Sequence, residues 1–357
     1  MLAGGEGTRL RPLTYTTPKA VMPLAGRPFL TFMLDWLHSH GVDDVVLSCG
    51  FLSADVRRVL GDIYQGMRLR YVVEEEPLGT AGPVRLALDE GILEDRLVVA
   101  NGDVLTDLDL SAQLAWHEER GARATLGLVT VADTSSYGVV PTDAEGRVES
   151  FLEKTAEEPP TNRINAGVYV LERDVIEAIP AGRPVSFERE IFPALAGVSL
   201  FGYQADEPYW IDIGTPERYL EATWDLLAGR MPSSLPPRDE TGSLVLDGAL
   251  VAGAHVGPQT VLGRSCSVGV DARVERAVLH DRVIVGADAV VLESVLAERV
   301  RVGEGAQVGP RAMVGAGASI GEGARVGAGA RVDPGAEVEA GGSVAPGQTL
   351  AAEAAAG

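Results

Sequence analysis

Lysine is almost missing from this chain. Of its 30 basic residues only Lys19 and Lys154 are lysines, and 51 acids give a net charge of −21. Binding to a phosphate backbone needs a broad basic surface, so nucleic acid is not an expected partner. Cys49 and Cys266 are the only cysteines, one in each half of the chain. They argue against a disulfide framework and read as buried thiols in a reducing compartment. No apolar run reaches about 18 residues and no basic, apolar leader opens the sequence, which excludes a spanning helix and points to the cytoplasm. Neither GxxxxGK[ST] nor GxGxxG occurs, so a P-loop and a dinucleotide fingerprint are both excluded.

What the chain does have is concentrated in residues 2–28, LAGGEGTRLRPLTYTTPKAVMPLAGRP. Gly4, Gly5 and Gly7 allow a sharp turn whose N–H groups point at an anion. Arg9, Arg11, Lys19 and Arg27 face only Glu6 across this stretch. A basic glycine loop in an acidic protein attracts and holds polyphosphate. Lysine persists here and at position 154 although arginine has replaced it everywhere else. A compact ammonium is irreplaceable where a phosphate oxygen must be touched without the bulk of a planar fork.

Apolar periodicity then predicts strand and helix in alternation: a helix over 30–40, a strand ending at Cys49, a helix over 53–60 and a strand over 68–73. The turn-rich EEEPLGTAGP, residues 74–83, opens the next helix. An apolar strand over 97–100 runs into Asn101-Gly102-Asp103, where a carboxylate at a strand tip is placed to hold Mg²⁺ against phosphates. In the helix over 111–120, Trp116 is expected in the core and His117 outside. Asp212 lies between Ile211 and Ile213, where an acid without a cation or a hydrogen-bonding partner is costly.

Aromatic residues fade near residue 230 and Gly, Ala and Val take over. The expected layout is a domain over 1–227, a linker over 228–243, a repeat domain over 244–345 and a flexible tail over 346–357. In the repeat domain apolar residues recur every six positions, from Leu250, Val256, Leu262, Val268 and Val274 to the run Val302 through Val338. Leu279, Val285, Val291 and Leu296 carry the register through two five-residue steps. This is the hexapeptide repeat of a parallel β-helix, predicted to stack about five coils. Solenoid surfaces mediate self-association, so a homo-oligomer is expected.

The stretch from Gly4 to Pro28 (GGEGTRLRPLT, then a PK pair, then PLAGRP) resembles the signature of the sugar-nucleotide pyrophosphorylases, which join a nucleoside triphosphate to a sugar 1-phosphate. Ala20 and Thr155 depart from the prolines usual in that family. The family's loop follows a strand of about five or six apolar residues, and only Met1–Ala3 precede the glycines here, which implies a weakened central sheet. The resemblance implies an α/β fold with a Rossmann-like, mostly parallel sheet, followed by a left-handed β-helix.

The family's residue roles transfer as follows. Leu2, Ala3, Gly4, Gly5, Gly7, Thr8, Glu76, Gly79, Thr80 and Asn101 would bind the nucleotide. Arg9, Lys19 and Lys154 would be catalytic, while Gly138, Glu153, Lys154 and Asn165 would bind the sugar phosphate. Asp103 and Asp212 would hold Mg²⁺. The form EPLGTAGP resembles the mannose-1-phosphate guanylyltransferase branch, which implies GTP and mannose 1-phosphate. Three alternatives stand beside this one: a thymidylyl or uridylyl enzyme using glucose 1-phosphate, an acyltransferase using His255 or His280 of the β-helix, and a non-catalytic regulatory subunit.

Overall fold

A computed structural model describes residues 1–50, 52–152 and 159–352. They fall into two compact units, one made of Met1–Gly5 with Leu30–Asp212, the other of Glu6–Phe29 with Ile213–Gly357.

The first unit is built on mixed sheets. Its principal elements in chain order are α1 (Leu30–Ser39), β1 (Asp44–Cys49), α2 (Ser53–Leu60), β2 (Met67–Val73), α3 (Gly82–Asp89), β3 (Arg96–Ala100), β4 (Val104–Thr106), α4 (Leu110–Arg120), β5 (Ala124–Thr130), β6 (Arg163–Glu172), β7 (Leu200–Gln204) and β8 (Trp210–Asp212). β1 pairs parallel with β2, and β7 parallel with β5. The expectation of a mostly parallel sheet departs at β6, which runs antiparallel to both β3 and β5. The short start is stitched into the sheet: Leu2 bridges Ser48 of β1 and Asn101 beyond β3, both in parallel sense. Its backbone N–H donates to Ala100 O at 2.9 Å, and that of Ala3 donates to Ser48 O at 2.8 Å. Met1–Ala3 therefore serve as a strand stub between β1 and β3, and a backbone running between two edges satisfies the polar groups of both.

Helix ends follow local chemistry. Asp109 caps α4 by accepting from Ala112 N at 2.9 Å. His117 departs from its expected place: it is buried, with Nδ1 2.8 Å from Thr125 Oγ1 and Nε2 3.0 Å from Glu172 Oε1. Trp116 beside it is only half-buried. The helix is rotated by this pair of polar partners, which apolar periodicity cannot see. The segment SFEREIFPAL makes a π-turn over Phe187–Ile191 capped by Ser186, then a short helix Phe192–Leu195.

The second unit is a parallel β-solenoid whose three faces hold seven, six and six two- or three-residue strands. That is about six coils, one more than the repeat count led us to expect, because the six-residue step continues outward from both ends of the counted run. Val245, paired with Leu262, lies six positions before Val251, and Val344 and Leu350 continue beyond Val338. Thr349 and Leu350 pair with Arg331 and Val332, so the solenoid extends into the segment expected to be a flexible tail. Leu250, expected inside, is 67% exposed. Val251 rather than Leu250 pairs with Val268, which makes the step to Val256 another of five residues. The interior is a column of valine, leucine and isoleucine alternating with alanine, from Leu262 to Val344.

One solenoid face is apolar on both sides. Val261, Val278, Val295 and Met313 point away from the interior column yet are buried. Helix α5 (Pro216–Ala228), capped by Thr215 and started by Pro216, belongs to the same unit and contacts this region. Trp224 Nε1 donates to Arg276 O at 3.1 Å, and the Tyr219 hydroxyl lies 3.1 Å from His280 Nε2.

Candidate active site

The basic segment 6–29 lies in the solenoid unit and is gripped at several points. Tyr219 donates to Pro23 O, Arg27 Nη1 to Ser234 O at 3.3 Å, and Arg331 Nη2 to Arg9 O at 3.1 Å. Gly7 is left-handed at φ 63, a conformation that is strained for residues with a Cβ. Thr14 Oγ1 donates to its carbonyl at 2.9 Å. A Cβ at Gly7 would stand 3.2 Å from Lys19 Cβ. The glycine turn is thus folded onto the stem of Lys19, whose side chain is buried, while Thr8 and Arg9 are exposed. Arg11 pairs with Glu6 at 3.0 Å and lies over the Tyr15 ring.

In the first unit Gly4 and Asn101 adjoin the Met1–Ala3 stub, while Gly79 and Thr80 lie against residues 185–188; Gly7 and Thr8 belong to the second unit. Gly102 must be glycine because a Cβ there would meet Leu2 O at 2.6 Å. Gly167, at φ 76, lies under Asn101, whose Nδ2 would stand 2.7 Å from a Cβ at that position. Gly4 abuts Glu74. Glu74 is a residue that sequence reasoning passed over in favour of Glu76. It accepts from Ser48 Oγ at 2.7 Å and from Leu78 N at 3.0 Å, tying β1 to the 74–83 loop, whereas Glu76 is exposed. Gly5 is exposed, with nothing within 4 Å of its would-be Cβ. Gly79, left-handed at φ 78, packs on the Val185 backbone. The Thr80 hydroxyl is engaged at both ends, donating to Glu188 Oε2 at 2.7 Å and accepting from Phe187 N at 2.9 Å.

Asp103 and Asp212 come together through strand register. β8 pairs antiparallel with β4, placing Asp212 opposite Val104 and one position from Asp103. Both carboxylates are half-buried. The Tyr137 hydroxyl donates to Asp212 Oδ2 at 2.8 Å, and its ring packs edge-on against Trp210 at 5.2 Å. Burial of Asp212 thus has the hydrogen-bonding partner that the sequence argument required as one of two possibilities. Among the described residues no group of three or more His, Cys, Asp or Glu is placed to hold a metal. Two hard oxygen donors suit Mg²⁺, which binds through one or two carboxylates and takes its other ligands from water and substrate phosphates.

Gly138 O accepts from Asn165 N at 3.1 Å, so these two expected sugar contacts are adjacent. Asn165 Oδ1 accepts from Gly167 N at 3.0 Å and its Nδ2 donates to Tyr169 at 2.9 Å. Tyr169 is fully buried, and burial, with the nearby charge of Glu188, raises its pKa well above the ordinary phenol value, so it remains a hydroxyl. Glu153 and Lys154 lie outside the described residues. Of the solenoid histidines, His255 is exposed at 3.1 Å from Glu275. His280 is buried against Tyr219, and burial lowers its pKa to about 4.

A nucleotidyl transferase family profile matches residues 1–229. A GlmU-like C-terminal hexapeptide profile matches 237–312, and a bacterial transferase hexapeptide profile of six repeats matches 299–334. A protein of Mycobacterium tuberculosis named mannose-1-phosphate guanylyltransferase is 44% identical over 290 residues, 80% of each chain. A UTP--glucose-1-phosphate uridylyltransferase of Synechocystis is 34% identical, over 71% of this chain and 69% of its own. Among solved structures, HddC from Yersinia pseudotuberculosis complexed with GMP-PN aligns with TM-score 0.55 and 31% identity, covering 63% of this chain and 97% of that one.

Proposed function

The chain belongs to the nucleotidyl transferase family, and from that membership we propose that it makes GDP-mannose and pyrophosphate from GTP and mannose 1-phosphate. The observation that carries this reading is the 44% identity, over four-fifths of both chains, to a protein named for that reaction. The GMP-PN of the HddC complex supports the base.

An oxygen of the sugar phosphate attacks the α-phosphorus in line. The bond from that phosphorus to the β-bridging oxygen breaks, and pyrophosphate leaves with the electron pair. The nucleophile is already an anion, so no proton has to move and no general base is needed. Catalysis is then alignment together with neutralisation of charge on the phosphates. In this reading Arg9 and the glycine turn hold the outer phosphates, Lys19 supports the α-phosphate and Lys154 holds the sugar phosphate. Asn165 and Gly138 orient the sugar, while Asp103 and Asp212 are the residues that would hold Mg²⁺, which supplies further positive charge at the phosphates when bound.

A second reading, transfer from UTP or dTTP to glucose 1-phosphate, is favoured by the uridylyltransferase relative. Pyrophosphate release across four nucleoside triphosphates and several sugar 1-phosphates, with Mg²⁺, separates the two. GTP with mannose 1-phosphate is expected to give the highest kcat/KM, and a preference for UTP or dTTP with glucose 1-phosphate would replace the first reading by the second.

A further inference from the structure

Glu188 belongs to none of the sequence motifs, yet three hydroxyls surround its carboxylate. Oε2 accepts from Thr80 at 2.7 Å and from Ser186 at 2.7 Å, and Oε1 accepts from Tyr169 at the longer distance of 3.4 Å. A carboxylate only accepts, so it fixes the direction of every bond around it. Tyr169, donating its one proton to Glu188, has only lone pairs left for Asn165. The Asn165 amide must then present Nδ2 to Tyr169 and Oδ1 to Gly167 N. On the other side Thr80 gives its proton to Glu188 and receives the Phe187 N–H. The directed chain runs from the end of the 74–83 loop, through the π-turn over 187–191, to β6.

We propose that Glu188 is a positioning residue that sets the Asn165 amide and the Thr80 loop together, so that one carboxylate disposes both the sugar-phosphate and the nucleotide contacts. This rests on the reading above for which substrates those contacts meet. It adds that the charge of Glu188, acting through Tyr169 and Thr80 without touching either substrate, fixes the direction of the Tyr169–Asn165 bond and so holds the amide from its Nδ2 side, while the Gly167 N–H holds Oδ1 from the other. Glu188→Gln keeps the shape but introduces donors, which lets the hydroxyls rotate and the Nδ2 bond to Tyr169 weaken, so that the amide is held by the Gly167 N–H alone.

The test uses the full chain. With only three asparagines, Asn101, Asn162 and Asn165, selective ¹⁵N-asparagine labelling gives three side-chain amide pairs. Glu188→Gln is expected to shift the Asn165 pair and leave that of Asn162 in place, whatever reaction the protein performs. An unmoved Asn165 pair overturns the relay. In turnover assays the same variant is expected to raise KM for both substrates by roughly 10-fold, the scale of a hydrogen bond to a charged group. In a Tyr169→Phe background it should still raise KM for the nucleotide but no longer that for the sugar phosphate. Equal effects in both backgrounds, or loss of thermal stability with both KM values intact, would mean that Glu188 is merely structural. A wild-type protein that releases no pyrophosphate from any substrate pair, with the amide shift present, would refute the functional reading and the assignment of Glu188 to two substrate sites, while leaving the relay itself.

Discussion

Two alanine substitutions in the glycine turn separate folding from phosphate binding. Gly7 is left-handed, and a residue with a Cβ there costs about 1–2 kcal/mol. Its Cβ would also stand 3.0 Å from Thr14 Cγ2 and 3.2 Å from Lys19 Cβ, so both must give way by a few tenths of an ångström. Gly7→Ala should lower Tm by roughly 2–8 °C, scaling 2–4 °C per kcal/mol for a unit of this size. It should also displace Lys19, and a misplaced catalytic group costs on the order of 10²-fold in rate. Gly5 is the opposite case: its φ is not left-handed and its Cβ meets nothing within 4 Å. Gly5→Ala should leave Tm unchanged or raise it slightly through the stiffer unfolded chain. If the Gly5 backbone lies against a phosphate, the added methyl pushes the nucleotide away and KM for GTP rises by about 10-fold, which is roughly 1.4 kcal/mol. Thermal melts and pyrophosphate-release kinetics on the two variants decide the matter. A Gly5→Ala enzyme with wild-type KM would mean that no phosphate contacts this turn, and a Gly7→Ala enzyme with wild-type kcat would remove Lys19 from the chemistry.

Lys19→Arg and Lys154→Arg should each lower kcat by at least ~10²-fold, the scale of one lost electrostatic contact in a transition state; near-normal turnover in either variant strips that lysine of its role. Tyr137→Phe removes the 2.8 Å bond to Asp212 and should raise the Mg²⁺ concentration for half-maximal activity roughly 10-fold, since bonds to charged groups contribute about 1.5–3 kcal/mol; an unchanged Mg²⁺ dependence argues that Asp212 does not hold the ion. Burial lowers the His280 pKa from the ordinary imidazole value of 6.5 to about 4, so between those values the unfolded chain binds a proton that the folded chain resists. Its contribution to stability is therefore full above about pH 6.5 and declines as pH falls toward 4. Urea unfolding at pH 7.5, 5.5 and 4.5 should show a smaller acid loss in His280→Gln than in wild type, and identical losses would contradict the buried neutral state.

The glycine turn, the NGD tip of β3 and the six-residue period were legible because each is local: a few neighbouring residues carry the whole signal. The failures come from partners far away in sequence. His117 follows Thr125 and Glu172 rather than the apolar stripe of its helix, and the part Glu74 plays in tying β1 to the 74–83 loop depends on Ser48 standing across from it. At Leu250-Val251 both residues are apolar, so the pattern could not say which one faces inward, and pairing with Val268 decides it.

One long-range feature is nevertheless written in the repeat itself. At 261–262, 278–279, 295–296 and 313–314, on every third strand, the residue beside the interior position is also apolar. A strand that is apolar on both sides needs cover on both, so this spacing of 17 to 18 residues marks a solenoid face that packs against something else in the protein. On that unit's own chain, α5 contacts the face through Trp224 and Tyr219, and Tyr219 in turn holds Pro23 of the basic segment. Farther along the same row of strands, where the outward position changes from Met313 to Arg331, the side chain reaches the carbonyl of Arg9. The repeats therefore do more than extend the molecule. They hold the segment that carries Arg9 and Lys19, directly through Arg331 at the Arg9 carbonyl and through α5 at Pro23, and changes in those coils should be felt in turnover as well as in stability.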